Sequence, residues 1–553
     1  MPVLIASLAF YPIFFMPDFS KSTFELMDII YMVPWYSWVY LLALCLLLSV
    51  DVLLKRTVSL GHVVITALLT YGAYAACRYP LAYRDILLHG SSTNALISAG
   101  TTLSLDGYPK WWPGGFILWA SASEVSGLDT VSVNVLLTFV VLLASSCLLY
   151  LLGKEILGRQ WGGLGAVLYL VVDTYSYRQI SMHFAPFSLG VVEYFAILYL
   201  LVRYLRTKNR AALAVLLIMV CAVVISHGSI SLFVVFTLLG IVAFEKIRRL
   251  NLGIGVVLFS FALVLWVSWW LYNANFTLEQ AVRLVTYVFG SPEESKITRN
   301  IFALNDPLPP IGVFLRNFYL KPLLLLIGLM SMVVAFRERR SRSVSFYTGA
   351  LCGCVIASVA MLGLSSASAP GGSNIEVTEI LLFTLLPACC LASRMLKRSD
   401  RAFQLGAVII ILLVVPSFLT MFTYTSEYAE KTHPWEVNGY QFLSAHVPTT
   451  SVIGTDELTS IALRFYDTAY SPHAGVLTLS ETNMTSWVKE RPTFFSGQYI
   501  LRSFRQELSY ASHGTFEERH QFWALVDSNI AASANRNRAY DDGYMQLYWY
   551  NSG

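Results

Sequence analysis

The chain alternates between long apolar runs and shorter polar connections. After an apolar N-terminal run, MPVLIASLAFYPIFFM, apolar stretches recur at 32–54, 57–77, 130–152, 161–173, 185–202, 211–226, 229–244, 252–272, 318–336, 344–364, 377–396 and 403–424. A helix that crosses a bilayer needs about twenty mostly apolar residues, and most of these runs approach that length. The pattern predicts an all-α polytopic membrane protein with about thirteen transmembrane helices. The first run lacks a basic leader and a small-residue cleavage site, so it reads as a short span or interfacial anchor.

The polar connections fall into two classes. One class is short and basic: Lys55 and Arg56; Lys154 and Arg159; Arg203, Arg206, Lys208 and Arg210; Lys246, Arg248 and Arg249; Arg337 to Arg342; Lys397, Arg398 and Arg401. The other class is longer and mixed in charge: 78–129, 174–184, 273–317, 365–376 and everything after 425. Basic connections stay in the cytoplasm, so the second class is expected on the outer face of a multi-pass plasma-membrane protein.

Beyond residue 425 the pattern changes. HPWEVNGYQFLSAHV predicts a helix with Pro434 in its first turn, and TSVIGTD a short strand. DELTSIALRFYD and FEERHQFWALVDSNIAASA read as helices, and AYDDGYMQLYWY as a hairpin turning at Asp542-Gly543. The expected organisation is an N-terminal membrane segment (1–56), a transmembrane catalytic module (57–424) and a small α/β extracytoplasmic domain (425–553). Sequons at Asn275 and Asn483 fall on the same expected face.

Composition agrees with a membrane protein. Hydrophobic residues make up 56% and charged residues 13%, with mean hydropathy +0.59, whereas soluble domains carry roughly 25% charged residues. A net charge of +4 is what the basic connections alone produce, and it gives no sign of a nucleic-acid partner. All eight cysteines lie in or beside apolar runs and read as small core residues, not as a disulfide framework.

The candidate chemistry lies in the outer segments. In RDILLHG, Asp85 and His89 are four residues apart and share one face if the segment is helical. Asp85 reads as a helix N-cap, as a catalytic acid, or as both. His89 reads as a hydrogen-bond partner, phosphate contact or metal ligand. Asp173, ending a span, and His183 could share a divalent cation such as Mg or Mn that neutralises a departing phosphate. Arg178, Arg283, Arg316 and Lys321 are cations where cations are sparse, suited to a lipid phosphate or to interfacial snorkelling. Glu376 and Glu379 follow the flexible SSASAPGGSN segment, which reads as a substrate gate or a plain loop. Glu193 is an acid inside a span, a functional position by default or one paired with a polar neighbour. His227 lies between two spans and reads as an outer-face candidate or as part of a tight turn. The aromatic residues of YPKWWPGG suit an interfacial belt or a platform for sugar rings. No P-loop, HExxH, GxSxG or dinucleotide-binding glycine motif is present in the sequence.

These pieces together resemble the GT-C superfamily of polytopic glycosyltransferases, most of all prokaryotic and archaeal relatives of protein O-mannosyltransferases and RgtA-like glycosyltransferases. The resemblance is carried by Asp85 and His89, Gly100, Tyr108-Pro109, Pro113, the acid Asp173 and the C-terminal region. It implies sugar transfer from a polyprenyl-phosphate donor in the bilayer to an outer acceptor (glycan, lipid or protein). It implies that Asp85 is the base or positions the acceptor, and that Asp173 helps bind a metal. Two features depart from the pattern. Asp85 is followed by Ile86 where protein O-mannosyltransferases often carry Asp-Glu, and the WWDYG signature of oligosaccharyltransferases is missing. A transporter or lipid flippase and an inactive surface-assembly protein are the competing readings.

The charge pattern predicts that protease added to intact cells digests the 425–553 region. Digestion only after the cytoplasmic side is opened would show the inverse topology.

Overall fold

The computed structural model describes residues 84–105, 107–157, 184–247, 254–274 and 434–447, five short strands beyond them, and scattered positions near 60, 165, 249 and 355. Local sequence signals set the ends of the helices. Helix α1 (Arg84–Ala99) leaves through Gly100 at φ 65, in the left-handed region that a side chain disfavours. A 3-10 turn, Thr102–Ser104, leads to the short α2 (Tyr108–Trp111) and then α3 (Gly114–Ser126). α3 stops at a second left-handed glycine, Gly127, whose N–H donates to the Ser123 carbonyl.

Asp129 stands before α4 (Thr130–Leu157) and caps it: Oδ1 accepts the Ser132 N–H at 3.0 Å and Oδ2 the Ser132 hydroxyl at 2.6 Å. Partial burial works against its ionisation, but the hydrogen bonds from Ser132 prevail and hold the carboxyl below its usual range. α5 (Pro186–Thr207) opens with proline, whose missing N–H costs nothing at that position. Asn209 caps α6 (Arg210–Ser226), accepting the Ala211 N–H at 2.8 Å. α7 (Gly228–Ile247) and α8 (Ile254–Tyr272) complete this part.

α4, α5, α7 and α8 are long and apolar enough to cross a membrane, and α6 is a shorter apolar helix. They coincide with the runs expected at 130–152, 185–202, 211–226, 229–244 and 252–272. The runs at 57–77, 161–173 and 344–364 contain only scattered described positions, helical apart from Ser59 beside the first, and the other expected spans lie outside the described residues.

The two ends of the bundle differ in chemistry. At one end, Glu155 of α4 pairs with Arg206 of α5, among the basic residues Lys154, Lys208, Arg210 and Lys246. The opposite end, where α5 and α7 begin and α6 and α8 finish, carries α1–α3. Between the ends, the Tyr194 hydroxyl lies 3.1 Å from Thr237 Oγ1 and 2.9 Å from Cys354 Sγ, joining α5, α7 and the helical positions near 355.

α1–α3 are fastened to that end at close range. A Cβ at Gly228 would stand 2.6 Å from Trp112 Cζ2, one at Gly114 2.8 Å from Ser226 Oγ, and one at Gly115 2.9 Å from Pro186 Cα. The Trp269 indole donates to the Trp111 carbonyl at 2.9 Å, and the Trp119 indole to the Thr130 carbonyl at 2.9 Å. Asn134, buried in α4, takes Phe184 by both backbone groups: Nδ2 donates to its carbonyl at 2.8 Å and Oδ1 accepts its N–H at 3.2 Å. Leu96, Leu105, Phe116 and Ala120 form the apolar seam between α1 and α3.

Toward the C-terminus, α9 (Pro434–His446) begins at Pro434 as expected. Strands β1 (Ile453–Thr455), β2 (Val476–Thr478), β3 (Tyr499–Ser503), β4 (Arg536–Asp541) and β5 (Met545–Tyr550) form one sheet ordered β2-β1-β3-β5-β4. β1 pairs in parallel with β2 and β3, and β5 pairs antiparallel with β3 and β4. The strand expected in TSVIGTD and the terminal pairing in AYDDGYMQLYWY are both present. Asp542-Gly543 and the two further expected helices lie outside the described residues.

Gly228→Ala is expected to destabilise the protein by about 1–3 kcal/mol, because the Trp112 ring occupies the space of the new methyl group. In a Trp112→Leu background the same change should cost much less. Thermal unfolding of the four purified proteins of this cycle measures the difference; equal costs in both backgrounds would show that the contact does not constrain the fold.

Candidate functional site

The helix bearing Asp85 and His89 forms as the sequence suggested, and the backbone places both residues on one face of α1. The helix already includes Arg84, so Asp85 lies within its first turn and is not the residue just ahead of it. An acid in a first turn is still favoured by the positive end of the helix. The side chain of Asp85 lies outside the described residues, as do Asp173, Arg178, His183, Arg283, Arg316, Lys321, Glu376 and Glu379.

What the structure does bring together is His89 with two residues from the membrane helices. The His89 ring meets the Phe116 ring edge-on at 5.5 Å. Tyr108 packs against Phe116 at 6.4 Å and against His227 at 5.6 Å, and Phe187 closes the other side of His227 at 5.4 Å. His227 is 8% exposed and stands where α6 gives way to α7. Its Nδ1 caps α7, accepting the Ile230 N–H at 3.5 Å with the Ser229 hydroxyl 3.0 Å away. Burial pushes its imidazole down to about 3, and the neighbouring His89 adds to the effect. His227 is therefore a neutral ring at ordinary pH, with Nδ1 as acceptor and the proton on Nε2.

One residue earlier, the Ser226 hydroxyl lies 2.9 Å from Glu193 Oε1 and 2.9 Å from the Ala222 carbonyl. Glu193, the intramembrane acid of the sequence reading, thus has a polar neighbour, yet its Oε2 is buried without a hydrogen-bond partner. Gly190, one turn before it on α5, lets α7 approach: a Cβ there would stand 3.3 Å from His227 Cβ. Glu193, Ser226 and His227 form a polar cluster beneath α1–α3, with the Tyr108 ring of α2 against His227. Sequence reasoning had picked out Glu193 and His227 separately and missed Ser226, which carries no signal in an apolar run until α6 turns it toward α5.

Within YPKWWPGG, read as an interfacial belt or a platform for sugar rings, one aromatic residue is part of the packing. Trp112 is 4% exposed and is wedged against Gly228, so its faces are used in packing. Among the described residues no group of three His, Cys, Asp or Glu side chains could hold a metal ion, and the expected pair Asp173 and His183 lies outside them.

In the arrangement of its helices the chain is similar in fold to solved membrane proteins. The chain is similar to the oligosaccharyltransferase of Archaeoglobus fulgidus in its complex with zinc and sulfate, at TM-score 0.50 and 11% identity, over 89% of this chain and 73% of that one. It is also similar to ArnT from Cupriavidus metallidurans bound to undecaprenyl phosphate, at TM-score 0.46 and 11% identity, over 88% of this chain and 97% of that one. No protein-family model and no curated protein sequence matches the chain.

The buried neutral His227 has a consequence for stability. The unfolded chain takes up a proton near 6.5 and the folded one only at about 3, so stability is lost as pH falls below 6.5. The unfolding temperature of wild type should therefore drop more between pH 7 and pH 5 than that of His227→Asn. Parallel curves would mean that His227 is not the group responsible.

Proposed function

We propose that the chain is a membrane glycosyltransferase of the inverting type, which moves a sugar from a polyprenyl phosphate to an acceptor hydroxyl on the outer face of the plasma membrane. The observation that carries this reading is the placement of the Asp85–His89 helix. It is fastened through α3 onto the ends of α5–α7, above a buried polar cluster. The fold shared with an oligosaccharyltransferase supports it.

In this reading the Asp85 carboxylate takes the proton of the acceptor hydroxyl as its oxygen attacks the anomeric carbon. The bond from that carbon to the phosphate oxygen breaks, and the polyprenyl phosphate leaves with the electron pair. Arg178, Arg283 and Arg316 hold the phosphate, and His89 and Glu376 complete the substrate contacts. A divalent cation at Asp173 and His183 would add charge neutralisation at the leaving phosphate. The acceptor is a glycan, a lipid or a protein. The 57–424 region is the catalytic module, and the 425–553 region, an α/β domain facing outward, shapes the site. The transporter reading favours polar groups at mid-membrane on broken helices, whereas α5, α7 and α8 run unbroken.

The test is Asp85→Asn in membranes given labelled polyprenyl-phosphate hexose and candidate acceptors. Asn removes the proton acceptor and keeps the shape, and loss of the charge at the helix N-terminus costs only about 0.3–1 kcal/mol. The expected result is normal insertion, near-normal donor binding and transfer reduced by about 10²–10⁴. Full transfer by a well-expressed Asn variant would falsify the assignment of Asp85 as the base.

A further inference from the structure

Two groups of the polar cluster are opposite in kind, and one of them ends without a partner. Glu193 is 6% exposed; its Oε1 takes the Ser226 hydroxyl and its Oε2 has no hydrogen bond. His227 commits Nδ1 to the first turn of α7, which leaves its ring proton on Nε2. Ser226 ties the two together, being consecutive with His227 and bonded to Glu193. Gly190, on the same face of α5 as Glu193, brings the α7 terminus against that helix.

Buried polar groups in folded proteins nearly always have partners, and the open oxygen of Glu193 calls for an explanation. It is an acceptor, and the His227 ring N–H of the same cluster is a donor. The complement is an atom that both gives and receives a hydrogen bond, which is a hydroxyl. A phosphate oxygen fits less well. It accepts from Nε2–H but, in a phosphodiester, offers no proton to the open oxygen of Glu193. The rings of Tyr108 and Phe187 on either side of His227 add apolar walls of the kind that sit against the carbon faces of a sugar.

We propose that Glu193 and His227 form a hydroxyl-binding subsite for the sugar carried by the donor lipid, Glu193 Oε2 accepting from the sugar hydroxyl and His227 Nε2–H donating to it. This rests on the glycosyltransferase reading and adds to it a site that recognises the sugar, separate from the cations that hold the phosphate.

His227→Asn tests it cleanly. Asn is among the best N-cap residues, so its Oδ1 keeps the bond to the α7 backbone while the Nε2–H donor is deleted. Binding of two probes to the purified protein is measured: polyprenyl-phosphate hexose and the same lipid phosphate without sugar. The expected result is a roughly tenfold loss of affinity for the sugar-bearing lipid, the size of one hydrogen bond, and no change for the sugar-free one. A set of monodeoxy hexose lipids should show one hydroxyl whose removal weakens wild type and leaves His227→Asn unaffected. Glu193→Gln, which replaces the open acceptor, should lose affinity for the same probe and provides the test if the Asn variant fails to fold. Wild-type affinity of both variants for the hexose lipid would overturn the subsite. Equal losses for both lipids would show that the group contacts phosphate and would overturn the hydroxyl assignment. If wild type binds neither lipid, the glycosyltransferase reading fails and the subsite fails with it.

Discussion

Close approach of backbone to side chain, at glycine, is the constraint on which this end of the molecule depends. Trp112 reaches the start of α7 only because Gly228 has no Cβ, and α3 reaches Ser226 and Pro186 only because its first two residues are glycines. Packed interiors do not yield by ångströms, so each of these contacts is close to all-or-none. Together they convert an amphipathic segment that would otherwise float at the membrane surface into a fixed roof. Trp119 and Trp269 then tie the same roof to α4 and α8 by hydrogen bonds, and Asn134 joins α4 to the start of α5.

The roof decides the chemistry beneath it. A carboxylate and an imidazole close to a bilayer are costly to leave alone, and water is the usual remedy. Here Tyr108, Trp112 and α3 cover the helix ends, so Glu193 and His227 are buried by protein. Ser226 and the α7 backbone supply part of what they need. What they still lack defines the complementarity of the site. The same cover places the Asp85–His89 helix directly above.

Several elements were legible because their signals are local. Gly100 and Gly127 end helices in the left-handed conformation, and Pro434 starts one because its missing N–H is harmless there. The spans from 130 to 272 follow from apolar length alone. Other features were legible only in part. Glu193 stood out as an acid in an apolar run, and His227 as a polar residue between spans, but the sequence offered no reason to join them. They are more than thirty residues apart, and they meet because α5 and α7 cross at Gly190. Trp112 was misjudged for a related reason: an aromatic residue beside a proline looks the same whether it lies in the interface or fills a gap over a distant glycine.

By itself the sequence determined that the chain carries long apolar helices and where the described ones run. Those properties depend on the length of apolar stretches, on the placement of charge between them and on residues that start or stop a helix, all of which act over a few neighbours. The tertiary structure alone decided which polar side chains share a pocket and which aromatic ring is structural. Those outcomes depend on how closely two helices can pass, a distance fixed by single atoms on chain segments that lie far apart in sequence.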